Sequence, residues 1–357
     1  MDPSERHVTF RTILRRGVAI PAIPLILDAR RRFDPQRQRV LLRYYSAAGV
    51  GGLAVGVHST QFEIRQPNIG LFEPVLALAA DEMDRLDRAR KEPLVRIAGV
   101  CGNTAQAVAE AILARRLGYH AALLSLAAMR EASDDELIRH CRTVGDVLPL
   151  VGFYLQPSVG GRVLGHGFWR RFFEIETVCA VKIAPFHRYR TLDVLRASAE
   201  SGRDDVALYT GNDDNIVADL LTPFRFKVGG EWVQRRIVGG LLGQWAVWTS
   251  QAVELLARCQ ALAEAGGDVP ADMLRLGAEL TDANAAIFDV AHDFAGCIPG
   301  IHEVLRRQGL MEGIWCLDER AGLSPRQAQE IQRVCAAYPH LADDAFVAAH
   351  LEQWQRP

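Results

Sequence analysis

Short apolar runs rich in β-branched residues alternate along this chain with longer amphipathic stretches, and that alternation limits the fold more than any other feature. The runs are VAIPAIPLIL (18–27), GGLAVG (51–56), LVRIAG (94–99), HAALLSL (120–126), LPLVGFY (148–154), VCAVKIA (178–184), DVALYTG (205–211) and RRIVGGLL (235–242). Strands separated by helical segments must run parallel, because each helix carries the chain back to the starting edge. Eight units over about 240 residues have the size and rhythm of a (β/α)₈ TIM barrel. A doubly wound sheet is the rival, and GVGGLA at 49–54 superficially offers its glycine fingerprint. Those glycines precede a strand, however, whereas a dinucleotide turn follows one.

Helices are expected to open at Asp34, after Asn103, and near Ser133, where Asp134, Asp135 and Glu136 suit the positive end of a helix dipole. Beyond residue 246 the strand pattern stops. Helical periodicity follows at 247–265, 271–294, 298–309, 324–337 and 342–353, the fourth opened by Ser324 with Pro325 in its first turn. The expected organisation is an N-terminal extension at 1–16, a barrel catalytic domain at 17–246, and a barrel-closing helix with a C-terminal helical domain at 247–357. KVGGEWVQRR (227–236) reads as a loop or small hairpin.

With 357 residues, 49% of them hydrophobic, the chain can bury a large core, and a formal net charge of −2 gives no long-range attraction to nucleic acid or an anionic membrane. No apolar run approaches the ~18 residues that a membrane helix needs. The opening MDPSERHVTFRTILRRG lacks the apolar stretch of a signal peptide. Seven scattered cysteines without a Cys-x-x-Cys pair suit a reduced cytoplasmic protein. Zinc-protease, nucleophile-elbow and phosphate-loop motifs are absent, so neither metal nor cofactor is expected, although a metal site built from different strands would leave no trace in spacing.

Lysine is scarce. Of 41 Lys and Arg residues only Lys91, Lys182 and Lys227 are Lys, and Lys182 sits inside VCAVKIA. A cation there loses hydration on folding, which lowers its pKa, and a neutral amine can attack a carbonyl to form an imine as a guanidinium cannot. An ion pair or a snorkelling side chain would explain the placement equally well. In a barrel the reacting groups lie at the carboxyl ends of the strands. Tyr154 ends the fifth run, one strand away from Lys182, so phenol and amine are expected in the same mouth, with Tyr154 moving protons. His58, Ser59 and Thr60 follow the second run; the hydroxyls and backbone N–H groups suit a carboxylate, and His58 suits a further acid or base. After the seventh run Gly211 permits close approach of a ligand beside Asn212, while Asn212, Asp213 and Asp214 read as a helix start. His187, Arg188 and Arg190 read as solvated, and Trp245 and Trp248 as core.

These segments, in order, resemble the dihydrodipicolinate synthase and N-acetylneuraminate lyase family of Schiff-base-forming class I aldolases. The resemblance runs from about Gly17 to Gly313 through GVAIPAIPL, AGVCGNTAQAVAEA, LPLVGFYLQPSVGG, CAVKIA, YTGNDD and PGIHEVLRRQGLMEG. It implies a barrel with a helical tail, a homo-oligomer (tetramer or dimer), and chemistry on small 2-oxo acids through an imine on Lys182, with Tyr154 as proton carrier and Gly211 lining the pocket. The departures are equally specific. The family's hydroxyl pair after the second strand falls on Val57 and His58, or on Ser59 and Thr60 with one gap. Val159 stands where the synthases carry an arginine, leaving Arg162 as the nearby substitute, and SLAAMRE lacks the tyrosine lent to a neighbouring subunit. The expected activity is therefore C–C bond cleavage or formation on a pyruvate-like or related carbonyl compound, without assignment as a true dihydrodipicolinate synthase. The alternatives are a hydro-lyase on a sugar-derived 2-oxo acid and an inactive barrel serving as a sensor. His58 is the candidate replacement for the broken tyrosine relay.

Overall fold

The computed structural model describes residues 3–356. Eight parallel strands form the barrel: β1 (Ala19–Pro21), β2 (Gly52–Val55), β3 (Val95–Val100), β4 (Ala121–Leu124), β5 (Leu150–Leu155), β6 (Val178–Ala184), β7 (Ala207–Thr210) and, after a hairpin of β8 (Phe224–Val228) and β9 (Glu231–Arg235), β10 (Gly239–Leu242). Their order is β1-β10-β7-β6-β5-β4-β3-β2, and a parallel bridge from Ala22 to Ala54 brings β1 against β2. The barrel and hairpin expected from the alternation are both present. The first run is shorter than expected, three paired residues in place of ten, because Pro21 and Pro24 have no N–H to give to a ladder.

Side chains alternate between two cores. Val181 and Ile183 of β6 point outward against the helices, in the same layer as Trp169 and Phe172, whereas Ala180 and Ala184 point inward with Val151, Phe153 and Leu155 of β5. The helix Pro3–Arg16 closes the amino-terminal end of the barrel by burying Phe10, Ile13 and Leu14 in the inner core, about 1.5–3 kcal/mol each. Tyr209 fastens it, donating to the Leu14 carbonyl at 2.9 Å and accepting from the Val18 N–H at 3.2 Å.

The barrel helices start where side chains can accept the orphan N–H groups of the first turn. Asp34 accepts from Arg37, Asn103 from Gln106, and Ser133 forms a reciprocal capping box with Glu136. The C-terminal helices are Thr249–Ala265, Ala271–Ile287, Cys297–Arg307, Gln327–Ala337 and Asp344–Gln355. Ser324 is not the cap expected of it. Its hydroxyl donates to Asp289, its N–H to the Gln327 side chain, and the helix begins three residues later. Likewise Asn212, Asp213 and Asp214 precede a helix that begins only at Ile216, so capping does not explain them. No helix among the described residues is long and apolar enough to cross a membrane.

Candidate active site

At the carboxyl ends of the strands lies a cavity of about 640 Å³, counting its open mouth. Lys182 reaches it from β6, inward-pointing and only 9% exposed. The space for the side chain exists because residue 211 is glycine: a Cβ there would stand 2.6 Å from Lys182 Cε and 2.7 Å from Ala184 Cβ. Burial lowers the Lys182 pKa to about 8, against the opposing pull of Asp213. The amine also lies 4.6 Å from the centre of the Phe153 ring, a cation–π contact that favours its charged form.

Asp213 is the site residue that sequence reasoning passed over. It is 8% exposed, lines the cavity with Lys182, and its Oδ1 accepts the Gln244 N–H at 2.9 Å. Burial raises its pKa to about 7, the Gln244 hydrogen bond and Lys182 opposing. Its carboxyl therefore exchanges protons near neutral pH. The available signal was the second acidic residue in YTGNDD, which a helix cap explained too easily.

Tyr154 is not where the sequence led us to place it. Its ring lies in the outer layer, 5.4 Å from Trp169, and its hydroxyl accepts the Leu164 N–H at 3.1 Å. Tyr154 keeps the outward alternation set by Leu150, and a single extra residue on β6 turns Lys182 to the opposite face. The β5–β6 ladder starts with Leu150 opposite Val178, which if continued would set Tyr154 opposite Lys182; between Leu150 and Val151 the register slips, and Phe153 faces Lys182 instead. One inserted residue exchanges the two faces of a strand pair.

His58 and Ser59 line the cavity as expected. Burial, and secondarily the Lys182 charge, lower the His58 pKa to about 4, so its ring is neutral at working pH. The Ser59 hydroxyl donates to the Ile23 carbonyl at 3.2 Å. Thr60 is structural: its hydroxyl donates to the same carbonyl at 2.7 Å and accepts from the N–H groups of Gly56 and Val57. Asn212 also lies outside the cavity, accepting from the Phe186 N–H and donating to Thr191 and Asp219. Arg162 does not replace the missing arginine, because its guanidinium clamps the carbonyls of Met129 and Ala132, while Val159 lines the cavity. Arg188 is paired with Asp219, and Trp245 and Trp248 are core. The outer wall comes from the C-terminal domain, through Phe288, Phe294, Cys297 and Ile301.

An eight-stranded parallel barrel followed by a helical domain is shared with known structures. An N-acetylneuraminate lyase from Fusobacterium nucleatum superposes at a TM-score of 0.69 with 16% identity, covering 91% of this chain and 99% of that one. This chain has their fold. A dihydrodipicolinate synthase from Oceanobacillus iheyensis gives 0.68 at 13% identity, covering 95% and 100%. A prophage protein of the dihydrodipicolinic acid synthase family from E. coli, solved in complex with pyruvate, gives 0.70 at 17%, covering 91% and 98%. No protein-family model and no curated protein matches the chain by sequence. The resemblance read from the motifs is thus carried at the level of fold by structures whose sequences have diverged widely. Among the described residues no three His, Cys, Asp or Glu side chains are grouped as a metal site.

Proposed function

We propose that this chain is an imine-forming lyase acting on a small carbonyl compound of the 2-oxo acid type. The observation that carries the proposal is the placement of Lys182, a desolvated amine at the carboxyl-terminal end of an inner barrel strand, in a cavity it shares with one protonatable carboxyl group. The Lys182 nitrogen attacks the carbonyl carbon; a C–N bond forms, and the carbonyl oxygen takes up protons and leaves as water. Cleavage of the C–C bond one carbon further out sends its electron pair toward the iminium nitrogen as an enamine, and the carbon released becomes an aldehyde as its hydroxyl gives up a proton. Asp213 accepts that proton and returns one to the enamine, after which water frees the lysine. Bond formation is the same sequence reversed. Neutral His58 and the Ser59 hydroxyl oxygen, which line the same cavity, supply hydrogen bonds to the substrate, and Tyr154 takes no part.

Borohydride tests the shared step, since hydride converts the imine to a stable secondary amine. Incubation with a panel of 2-oxo acids should leave a mass adduct on Lys182. Lys182→Ala and Lys182→Arg should remain folded and take up none, the arginine variant separating charge from nucleophilicity. An adduct at another residue, or none with any carbonyl, overturns the mechanism and favours a barrel that only binds small molecules. As part of the same proposal the protein works as a homo-oligomer, which mass measurement under native conditions checks.

A further inference from the structure

The cavity around Lys182 is chemically one-sided. Among the described residues Lys182 is the one Lys or Arg that lines it, and Asp213 is the one acidic side chain. The rest is mostly hydrocarbon: Phe153, Leu155, Phe186, Phe288, Phe294 and Ile301 dominate the walls. Once the lysine is an imine, no arginine or second lysine is left to hold a phosphate or an acidic tail. Apart from His58, Ser59, Gln156 and Asp213, the lining offers no strongly hydrogen-bonding side chain for a run of hydroxyls. A sugar-like tail would lose its water there without replacement.

Two of the aromatic residues are held against backbone preference. Phe186, in the loop after β6, has φ 49°, and Phe294, in the C-terminal domain, has φ 67°, both in the left-handed region that bulky L-residues avoid. Each placement costs on the order of 1 kcal/mol, and the surroundings hold it: the Phe186 N–H is bonded to the buried Asn212 side chain, and the Phe294 N–H to the Asp289 carbonyl. The two rings meet edge to face in the cavity wall, centroids 5.8 Å apart at 78°. Two residues from different parts of the chain thus bring paired rings to the cavity that Lys182 lines, each at a cost in backbone conformation.

We infer that the substrate of this site carries an apolar, ring-bearing tail beyond its imine-forming carbon, packed against the paired rings of Phe186 and Phe294. The inference rests on the imine reading and names its substrate class. Borohydride trapping on the intact protein compares pyruvate, phenylpyruvate, 2-oxo-4-phenylbutanoate and a polyhydroxylated six-carbon 2-oxo acid. At least one aryl compound should half-saturate Lys182 at a concentration on the order of tenfold or more below the polyhydroxylated acid. Asparagine tolerates left-handed backbone, so Phe186→Asn and Phe294→Asn preserve the local conformation while removing a ring. Each should cut that selectivity, taken as the ratio of the two half-saturation concentrations within the same variant, by roughly tenfold. Equal or better trapping of the polyhydroxylated acid, or selectivity unchanged in both variants, overturns the inference while the imine survives. Calorimetry with phenyllactate against lactate, which cannot form imines, separates the two readings. Tighter phenyllactate binding that weakens in Phe294→Asn upholds the ring site even where no adduct forms, and equal binding of the two sinks it.

Discussion

Lys182 works in a balance of opposing influences. Burial pushes its pKa down to about 8 while Asp213 holds it up. Adduct formation should therefore rise with pH through about 8, read as the trapping rate with pyruvate at fixed ionic strength. Replacing Asp213 with Asn removes the negative charge that favours the ammonium, so the midpoint should move to lower pH, while turnover falls by about 10²-fold or more as the proton carrier is lost. A variant that lowers turnover and leaves the midpoint in place would point to a purely structural carboxyl. The same residue leaves a mark on stability. Its folded pKa of about 7 lies above the ordinary 3.8, so the folded state holds a proton that the unfolded chain gives up between those values. Its contribution is present below pH 3.8 and lost as pH rises through 7; Asp213→Asn should flatten that part of the melting profile. Gly211 is the third determinant. A methyl group 2.6 Å from Lys182 Cε should cost about 1–3 kcal/mol and reduce trapping more than tenfold, a test of whether the amine's room is as narrow as the geometry states.

Among the elements, the β5–β6 ladder decides which side chains meet. Tyr154 belongs to the outer packing layer, and there its hydroxyl has a structural duty. Removing it in Tyr154→Phe leaves the buried Leu164 N–H without its acceptor, an expected loss of about 1–3 kcal/mol by denaturant unfolding. Trapping on Lys182 should be unchanged within about twofold. A collapse of trapping with stability intact would return Tyr154 to the site. The room on that outer face comes from Gly152, where a Cβ would stand 2.6 Å from the Phe172 ring. The motif GFYLQP thus presents a tyrosine at the familiar distance from its proline, while the backbone turns that tyrosine away and offers Phe153 in its place.

At the scale of the whole molecule, the C-terminal helices are part of the site because Phe288, Phe294, Cys297 and Ile301 form its outer wall. Their attachment runs through buried polar groups. Tyr44, on the barrel helix Pro35–Ala47, donates to Asp343 at 2.8 Å and accepts the Thr249 N–H at 2.8 Å, and Asp343 also accepts from Ser250 and Gln308. Tyr44→Phe should cost about 2–4 kcal/mol, visible as a lower melting midpoint and faster proteolytic cutting of the tail. Half-saturation for trapping should rise with it. The strand-then-helix alternation, the helix starts at Asp34, Asn103 and Ser133, and the lysine buried in VCAVKIA were all legible along the chain, because periodicity, capping chemistry and desolvation act between residues close in sequence. Tyr154 was misplaced and Asp213 undervalued for the opposite reason. Which face of β5 meets Lys182 depends on one inserted residue in the pairing with β6. Which acid shares the cavity, and which aromatic rings from the far end of the chain close over it, depends on contacts between segments up to about a hundred residues apart. Spacing carries no record of either, so the nucleophile is written in the chain and its neighbours are a consequence of folding.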